Sequence, residues 1–213
     1  MKFHKDMLLL YAITDQAYTG EKNLLQQIEE ALASGVTCLQ LREKNMDKQD
    51  FLNEAMAVRK RTRQYGVPLI INDDVEIAIA CNADGVHVGQ EDLTAGEVRR
   101  RIGPDRILGV TVKTAEQAVK AWKDGADYLG CGAVFPSPTK KNAIAITMDQ
   151  LSAICRSVPI PVTAIGGITY ENVSLLQGTG IGGVSVISGI FGQSDIPAAV
   201  RALKEEVRKV VVS

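Results

Sequence analysis

Asp73, in Asn72-Asp73-Asp74, and Asp92, in Gly89-Gln90-Glu91-Asp92, are the residues with the most pointed chemistry in this sequence. Mg2+ commonly takes one or two carboxylates and completes its shell with water and substrate phosphates. Two aspartates closing neighbouring strands suit that ion, with Asp74 and Glu91 expected to point away. Aspartate is also a good helix cap, so capping is the other reading of both residues. A second group is Gln40-Leu41-Arg42-Glu43-Lys44. Strand alternation sends Gln40, Arg42 and Lys44 to one side, where an amide, a guanidinium and an ammonium call for an acidic, hydrogen-bonding ligand. The bland alternative is an exposed strand end with Glu43 paired to a neighbouring cation. Phe135 to Lys141 adds Ser137, Pro138, Thr139 and Lys140, groups that would grip an anion, in a stretch that reads as a lid or as an ordinary surface loop. Gly166-Gly167 and Ser188-Gly189 would let backbone N–H groups approach a phosphate closely, with help from a helix N-terminus.

Positioning these groups requires elements that all end on one side. Short β-rich runs cover Leu8–Thr14, Val36–Leu41, Pro68–Asn72, Gly85–Val88, Ile107–Val112, Ala126–Gly130, Val162–Ile165 and Gly183–Ile187. Helical stripes alternate with them: Leu24, Leu25, Ile28, Ala31 and Leu32; Ala115, Ala118, Val119 and Trp122; Ala199, Leu203, Val207 and Val210. Eight strands, each followed by a helix, predict right-handed βαβ units and an eight-stranded parallel (βα)8 TIM barrel. An open doubly wound sheet is the alternative. The polar segments then follow the C-terminal strand ends, the active face of such barrels. Small-residue turns recur before strands, at Ala33-Ser34-Gly35, Asn82-Ala83-Asp84-Gly85 and Gly125-Ala126-Asp127. Asp84 and Asp127 are assigned to these bottom-face turns. His87, among apolar residues, reads as a satisfied interior side chain, and His4 as disordered. No linker interrupts the chain, so one barrel domain is expected over residues 1–213.

Composition excludes several classes. With 24 basic and 25 acidic residues the formal net charge is -1, giving no reason to expect a nucleic-acid or membrane partner. Four separated cysteines without a CxxC pair argue against a zinc site or disulfide scaffold and fit a reducing, cytoplasmic setting. No Ser-His-Asp order or Walker loop is present.

Taken together, Gln40-Leu-Arg-Glu-Lys44, Ile70-Ile-Asn-Asp73, Gly85-Val-His-Val-Gly-Gln-Glu-Asp92, Phe135-Pro-Ser-Pro-Thr-Lys140, Ala164-Ile-Gly-Gly-Ile168 and Val186-Ile-Ser188 resemble the thiamine phosphate synthase family, in its order and over almost the whole chain. The resemblance implies a transferase that joins 4-amino-5-hydroxymethyl-2-methylpyrimidine diphosphate to 4-methyl-5-(2-hydroxyethyl)thiazole phosphate and releases diphosphate. It implies Mg2+ on Asp73 and Asp92, with Arg42, Lys44 and Lys140 as the catalytic cations. The pyrimidine diphosphate would lie against Gln40, Leu41, Arg42, Glu43, Lys44, Asn72, Thr111 and Lys140. The thiazole phosphate would lie against Ser137, Pro138, Thr139, Gly167, Ile187 and Ser188. A homo-oligomer is compatible with this reading.

The sequence departs from the family pattern at three places. Thr111 stands where the family usually has Ser, and Lys113 where it has His. Asn142-Ala143 lacks the usual lid carboxylate, and Ile144-Ala145-Ile146-Thr147 replaces a Pro and Gly pattern. Rival readings are a thiazole tautomerase relative, which relies on a His near position 113, a phosphosugar isomerase or epimerase barrel, which needs an acid–base pair, and a non-catalytic phosphate-ligand sensor.

Overall fold

A computed structural model of the chain describes residues 2–20, 22–136 and 145–211. Eight short strands, β1 (Leu10–Ile13), β2 (Cys38–Leu41), β3 (Leu69–Asn72), β4 (Gly85–Val88), β5 (Ile107–Val112), β6 (Tyr128–Gly132), β7 (Val162–Ile165) and β8 (Gly183–Val186), close into a parallel barrel in sequence order. The barrel expected from the alternation is present, and the open sheet is excluded by the β1–β8 pairing, Tyr11 opposite Ser185. Strand edges shift where local chemistry intervenes. Lys5–Leu8 is a 3-10 turn, so β1 starts at Leu10, and its cap is His4, whose Nδ1 accepts the Asp6 N–H at 3.4 Å. His4 therefore has a defined place, capping the turn through this local hydrogen bond.

Helices α1 (Leu24–Ser34), α2 (Lys48–Tyr65), α3 (Val75–Ala80), α4 (Ala95–Ile102), α5 (Ala115–Lys123), α6 (Met148–Ser157), α7 (Ser188–Phe191) and α8 (Ile196–Val211) surround the sheet. Many begin at residues whose side chains cap N–H groups, as with the reciprocal boxes Asn23/Gln26, Thr94/Glu97 and Thr147/Gln150. The third box begins α6 in the stretch that replaces the family's Pro and Gly pattern. One expected helix is missing. After β7 the described chain makes only a 3-10 turn, Val173–Leu176, and α7 and α8 both follow β8. The α5 stripe also turns differently: Ala118 and Ala121 are buried while Trp122 is 39% exposed.

The buried apolar side chains divide into two cores. The larger lies between sheet and helices and contains Leu39, Leu41, Ile71, Val86 and Val110 with Ile28, Val98 and Leu203. The smaller fills the barrel interior with Tyr11, Ile13, Cys38, Ile70, Ile107 and Tyr128. Tyr128 and the His87 ring fit there because β5 and β6 supply glycines beside them. A Cβ on Gly109 would lie 2.2 Å from the Tyr128 ring and 2.5 Å from His87 Nδ1. Gly109→Ala is expected to lower stability by about 1–3 kcal/mol through overpacking. A wild-type urea midpoint for the variant would count against this account of the interior.

The bottom face carries a repeated clip. Asp84 donates its backbone N–H to the Leu69 carbonyl at 2.9 Å, takes the Leu69 N–H on Oδ2 at 2.8 Å, and pairs with Arg59 of α2. Asp127 does the same with Leu108 and Arg99 of α4. Both aspartates are therefore structural, at the end of the barrel opposite the candidate site.

Candidate active site at the barrel mouth

The loops after β1 to β5 bring the expected polar residues together. Asp73 follows β3 directly, in a left-handed conformation (φ 62°) uncommon outside glycine, and its N–H donates to the His87 carbonyl at 2.8 Å. Asp92 lies in the loop beyond β4, four residues past its last residue, and its Oδ2 accepts the Gly89 N–H at 2.7 Å. Capping, the alternative for both, falls to other residues: Asp74 caps α3 and Thr94 caps α4. The two carboxylates are left facing each other. Partial desolvation, then the Asp92 charge and its hydrogen bond, push the Asp73 carboxyl up to about 6, while Lys44 and Asn72 pull it down. Among the described residues no cluster of three or more His, Cys, Asp or Glu is placed to hold a metal. A two-carboxylate pair beside an ammonium fits a divalent cation that keeps water or phosphate oxygens in its shell, and does not fit an all-protein cage.

Arg42 and Lys44 lie just beyond β2, in its loop. Arg42 Nη1 donates to Asp15 Oδ2 at 2.7 Å, and its backbone N–H donates to Thr14 Oγ1 at 2.9 Å, so the guanidinium is held by the end of β1. Asp15 is a positioning residue that its own place at a strand end marks, although its partner is not legible from spacing. Asn72 donates to Asp73 Oδ2 at 2.6 Å. Leu41 is fully buried in the sheet–helix core, so only its backbone faces the mouth.

Among the described residues Glu43 pairs with no cation, contrary to the alternative expected for an exposed strand end. It accepts from Gln16 Nε2 at 3.3 Å and meets Glu54 of α2. Burial, then the Glu54 charge, raise its carboxyl to about 7, and burial raises that of Glu54 as well. A carboxyl raised on folding binds its proton more tightly in the folded chain, so stability falls as pH climbs from the ordinary carboxylate range towards about 7. Glu54→Gln is expected to raise the urea midpoint clearly at pH 8 and much less at pH 5. Equal shifts at both pH values would contradict the pairing.

Gln40 and Thr111 face the barrel axis from β2 and β5, and both join a buried hydrogen-bond chain through Tyr11, Tyr128 and His87. His87 is the satisfied interior residue expected of it. Tyr11 and Tyr128 carry no motif. Their signal is that a tyrosine at an inward strand position needs a partner for its hydroxyl.

On the opposite side, β7 and β8 are neighbours, with Ile165 opposite Ser185, and their ends form a small concavity at Gly166, Gly167, Ile187 and Ser188. Gly167 has φ 64°, and a Cβ there would lie 2.2 Å from the Pro136 carbonyl oxygen, so glycine is required. Ile187 precedes the single turn of α7, whose opening N–H groups have no intrahelical acceptor. Ser137, Pro138, Thr139 and Lys140, with Lys141 to Ile144, lie outside the described residues.

A closed parallel barrel with ionic groups gathered at the C-terminal strand ends defines the (βα)8 class of barrel enzymes. Residues 10–190 match the family model described as thiamine monophosphate synthase. The chain belongs to the thiamine monophosphate synthase family, whose members are transferases of thiamine biosynthesis. It is 48% identical over 196 residues to the thiamine-phosphate synthase of Ruminiclostridium cellulolyticum, covering 92% of this chain and 93% of that one. It is 44% identical to the Clostridium botulinum thiamine-phosphate synthase, covering 94% of each. A solved thiamine phosphate pyrophosphorylase from Pyrococcus furiosus superposes with a TM-score of 0.89 at 37% identity, over 97% of this chain and 98% of that one. No helix among the described residues is long and apolar enough to cross a membrane.

Proposed function

We propose that the chain condenses 4-amino-5-hydroxymethyl-2-methylpyrimidine diphosphate with 4-methyl-5-(2-hydroxyethyl)thiazole phosphate, giving thiamine phosphate and diphosphate. The observation that carries this reading is the uncapped Asp73–Asp92 pair beside Lys44. Mg2+ on those two carboxylates would supply charge neutralisation to the departing diphosphate.

The chain's own groups do the rest by position and charge. Arg42, held by Asp15, takes diphosphate oxygens in a fixed orientation, and Lys44, Asn72 and Lys140 add donors around them. The methylene C–O bond breaks with its electron pair leaving on diphosphate. The thiazole nitrogen lone pair then forms the new C–N bond. Gln40 and Thr111 hold the pyrimidine, and the backbone of Leu41 and Glu43 borders it. Gly167, Ile187 and Ser188, with Ser137, Pro138 and Thr139, hold the thiazole phosphate. No protein nucleophile is required.

Mixing purified protein, Mg2+ and both heterocycles tests the proposal. Thiamine phosphate and diphosphate should appear in equal amounts, and neither should form when one substrate or Mg2+ is withheld. Turnover of a thiazole phosphate alone would point to the tautomerase reading instead.

A further inference from the structure

An unbroken hydrogen-bond chain crosses the barrel interior beneath the mouth. Gln40 Nε2 donates to Tyr11 Oη at 2.7 Å, Tyr11 Oη meets Tyr128 Oη at 2.9 Å, Tyr128 Oη meets His87 Nδ1 at 3.0 Å, and His87 Nε2 meets Thr111 Oγ1 at 2.8 Å. Tyr11 and Tyr128 are 1% and 0% exposed, so neither hydroxyl reaches bulk solvent. A buried hydroxyl left without an acceptor is costly, and that cost propagates direction along the chain. Because Tyr11 receives a proton from Gln40, its own O–H goes to Tyr128. Tyr128 must then give its O–H to His87 Nδ1. A neutral imidazole with Nδ1 accepting carries its proton on Nε2, so His87 donates to Thr111 and leaves the Thr111 O–H to point elsewhere. At the other end, Gln40 Oε1 accepts from none of the described residues.

We infer that this chain is a polarised positioning relay, presenting an acceptor at Gln40 and a donor at Thr111 as one linked choice, and thereby selecting a heterocycle that offers an N–H on one edge and a ring nitrogen on another. The inference rests on the pyrimidine pocket proposed above and assigns its specificity to three residues, Tyr11, Tyr128 and His87, that lie beneath it. Reversing any one link reverses all of them, so a ligand with the opposite donor–acceptor order must either leave a buried group unpaired or flip the Gln40 amide and change the His87 tautomer together. Three features keep the relay rigid. Burial raises both phenols well above their ordinary range, which keeps them protonated. Gly109 leaves room for the Tyr128 and His87 rings, and Gly130 for the His87 ring, at Cβ distances no side chain tolerates or only just tolerates. Thr111 has a β-branched side chain with restricted χ1, and its carbonyl is held by Gln90 Nε2 at 2.7 Å.

The sequence contains two histidines, so 15N-histidine labelling with a His4→Gln variant leaves the His87 ring alone in the spectrum. Without substrate, His87 should show a single neutral Nε2–H tautomer. An Nδ1–H tautomer, or exchange between the two, overturns the polarity. The coupling is read from the KM of the pyrimidine diphosphate. Tyr128→Phe and Tyr11→Phe should each raise it about tenfold, with the KM of the thiazole phosphate unchanged. The double variant should be no worse than either single one, because the links act in series. Additive losses, or equal losses for both substrates, mean that the tyrosines only support the barrel, and the relay fails. A wild-type chain that binds no pyrimidine diphosphate removes the pocket and its selectivity, while the tautomer spectrum still reports separately whether the chain is polarised.

Discussion

Asp73→Asn is expected to lower kcat/KM by about a thousandfold or more while the barrel is no less stable than the wild type, and somewhat more stable at neutral pH because the repulsion from Asp92 is relieved. The large effect follows from removing one of the two carboxylates available to a divalent cation, since the described residues around them offer no third acid. The absence of a stability cost follows from the backbone. Asn tolerates the left-handed conformation at position 73 about as well as Asp, and its side-chain oxygen can still accept from Asn72 Nδ2. The main-chain bond from residue 73 to the His87 carbonyl is untouched. Steady-state assays across a Mg2+ series, paired with urea unfolding, check both halves. A variant that keeps wild-type turnover in Mg2+ would remove Asp73 from the site. A variant that loses activity only because it unfolds would leave the assignment without support from this substitution.

Asp84→Ala is expected to destabilise the fold by about 3–5 kcal/mol. The Asp84 side chain is 3% exposed and accepts from two guanidinium nitrogens of Arg59, itself 13% exposed, and from the Leu69 N–H at the start of β3. Truncation leaves a nearly buried cation and a buried amide unpaired together. Asp84→Asn keeps an acceptor for Leu69 and should lose distinctly less. Asp127→Ala breaks the matching clip at a site 32% exposed, where water can take over part of the bonding, so its loss should also be smaller. Equilibrium unfolding of the three variants ranks them. Equal losses at Asp84 and Asp127 would show that burial does not set the cost.

The barrel was legible because a parallel strand buried on both faces must read as a short apolar run, and a covering helix as a stripe. Eight alternations leave little choice of topology. Where the expectation slipped, a local interaction had overridden the pattern. The β1 boundary moved because Lys5–Leu8 is taken up in a capped 3-10 turn. The stretch after β7 makes only a 3-10 turn, entered at Asn172, whose side chain accepts from the Thr169 N–H and donates to the Gly167 carbonyl.

The mouth divides along the same line. Residue types and their place after each strand were enough to nominate Arg42, Lys44, Asn72, Asp73, Asp92 and Gly167, since a strand's end is a local property. Which residues cap the helices depended on the backbone angles of the turns: Asp74 and Thr94 took the caps, and Asp73 and Asp92 did not. The Asp15–Arg42 pair, the facing of Glu43 and Glu54, and the relay from Gln40 to Thr111 each join residues between 11 and 117 positions apart in sequence or across it. Sequence by itself thus determined the elements and the chemical inventory at their ends, because both are set by neighbours along the chain. Only the closed barrel decided the pairings, because strand register and the space left by glycines at 109 and 130 place side chains opposite partners that the chain order keeps apart.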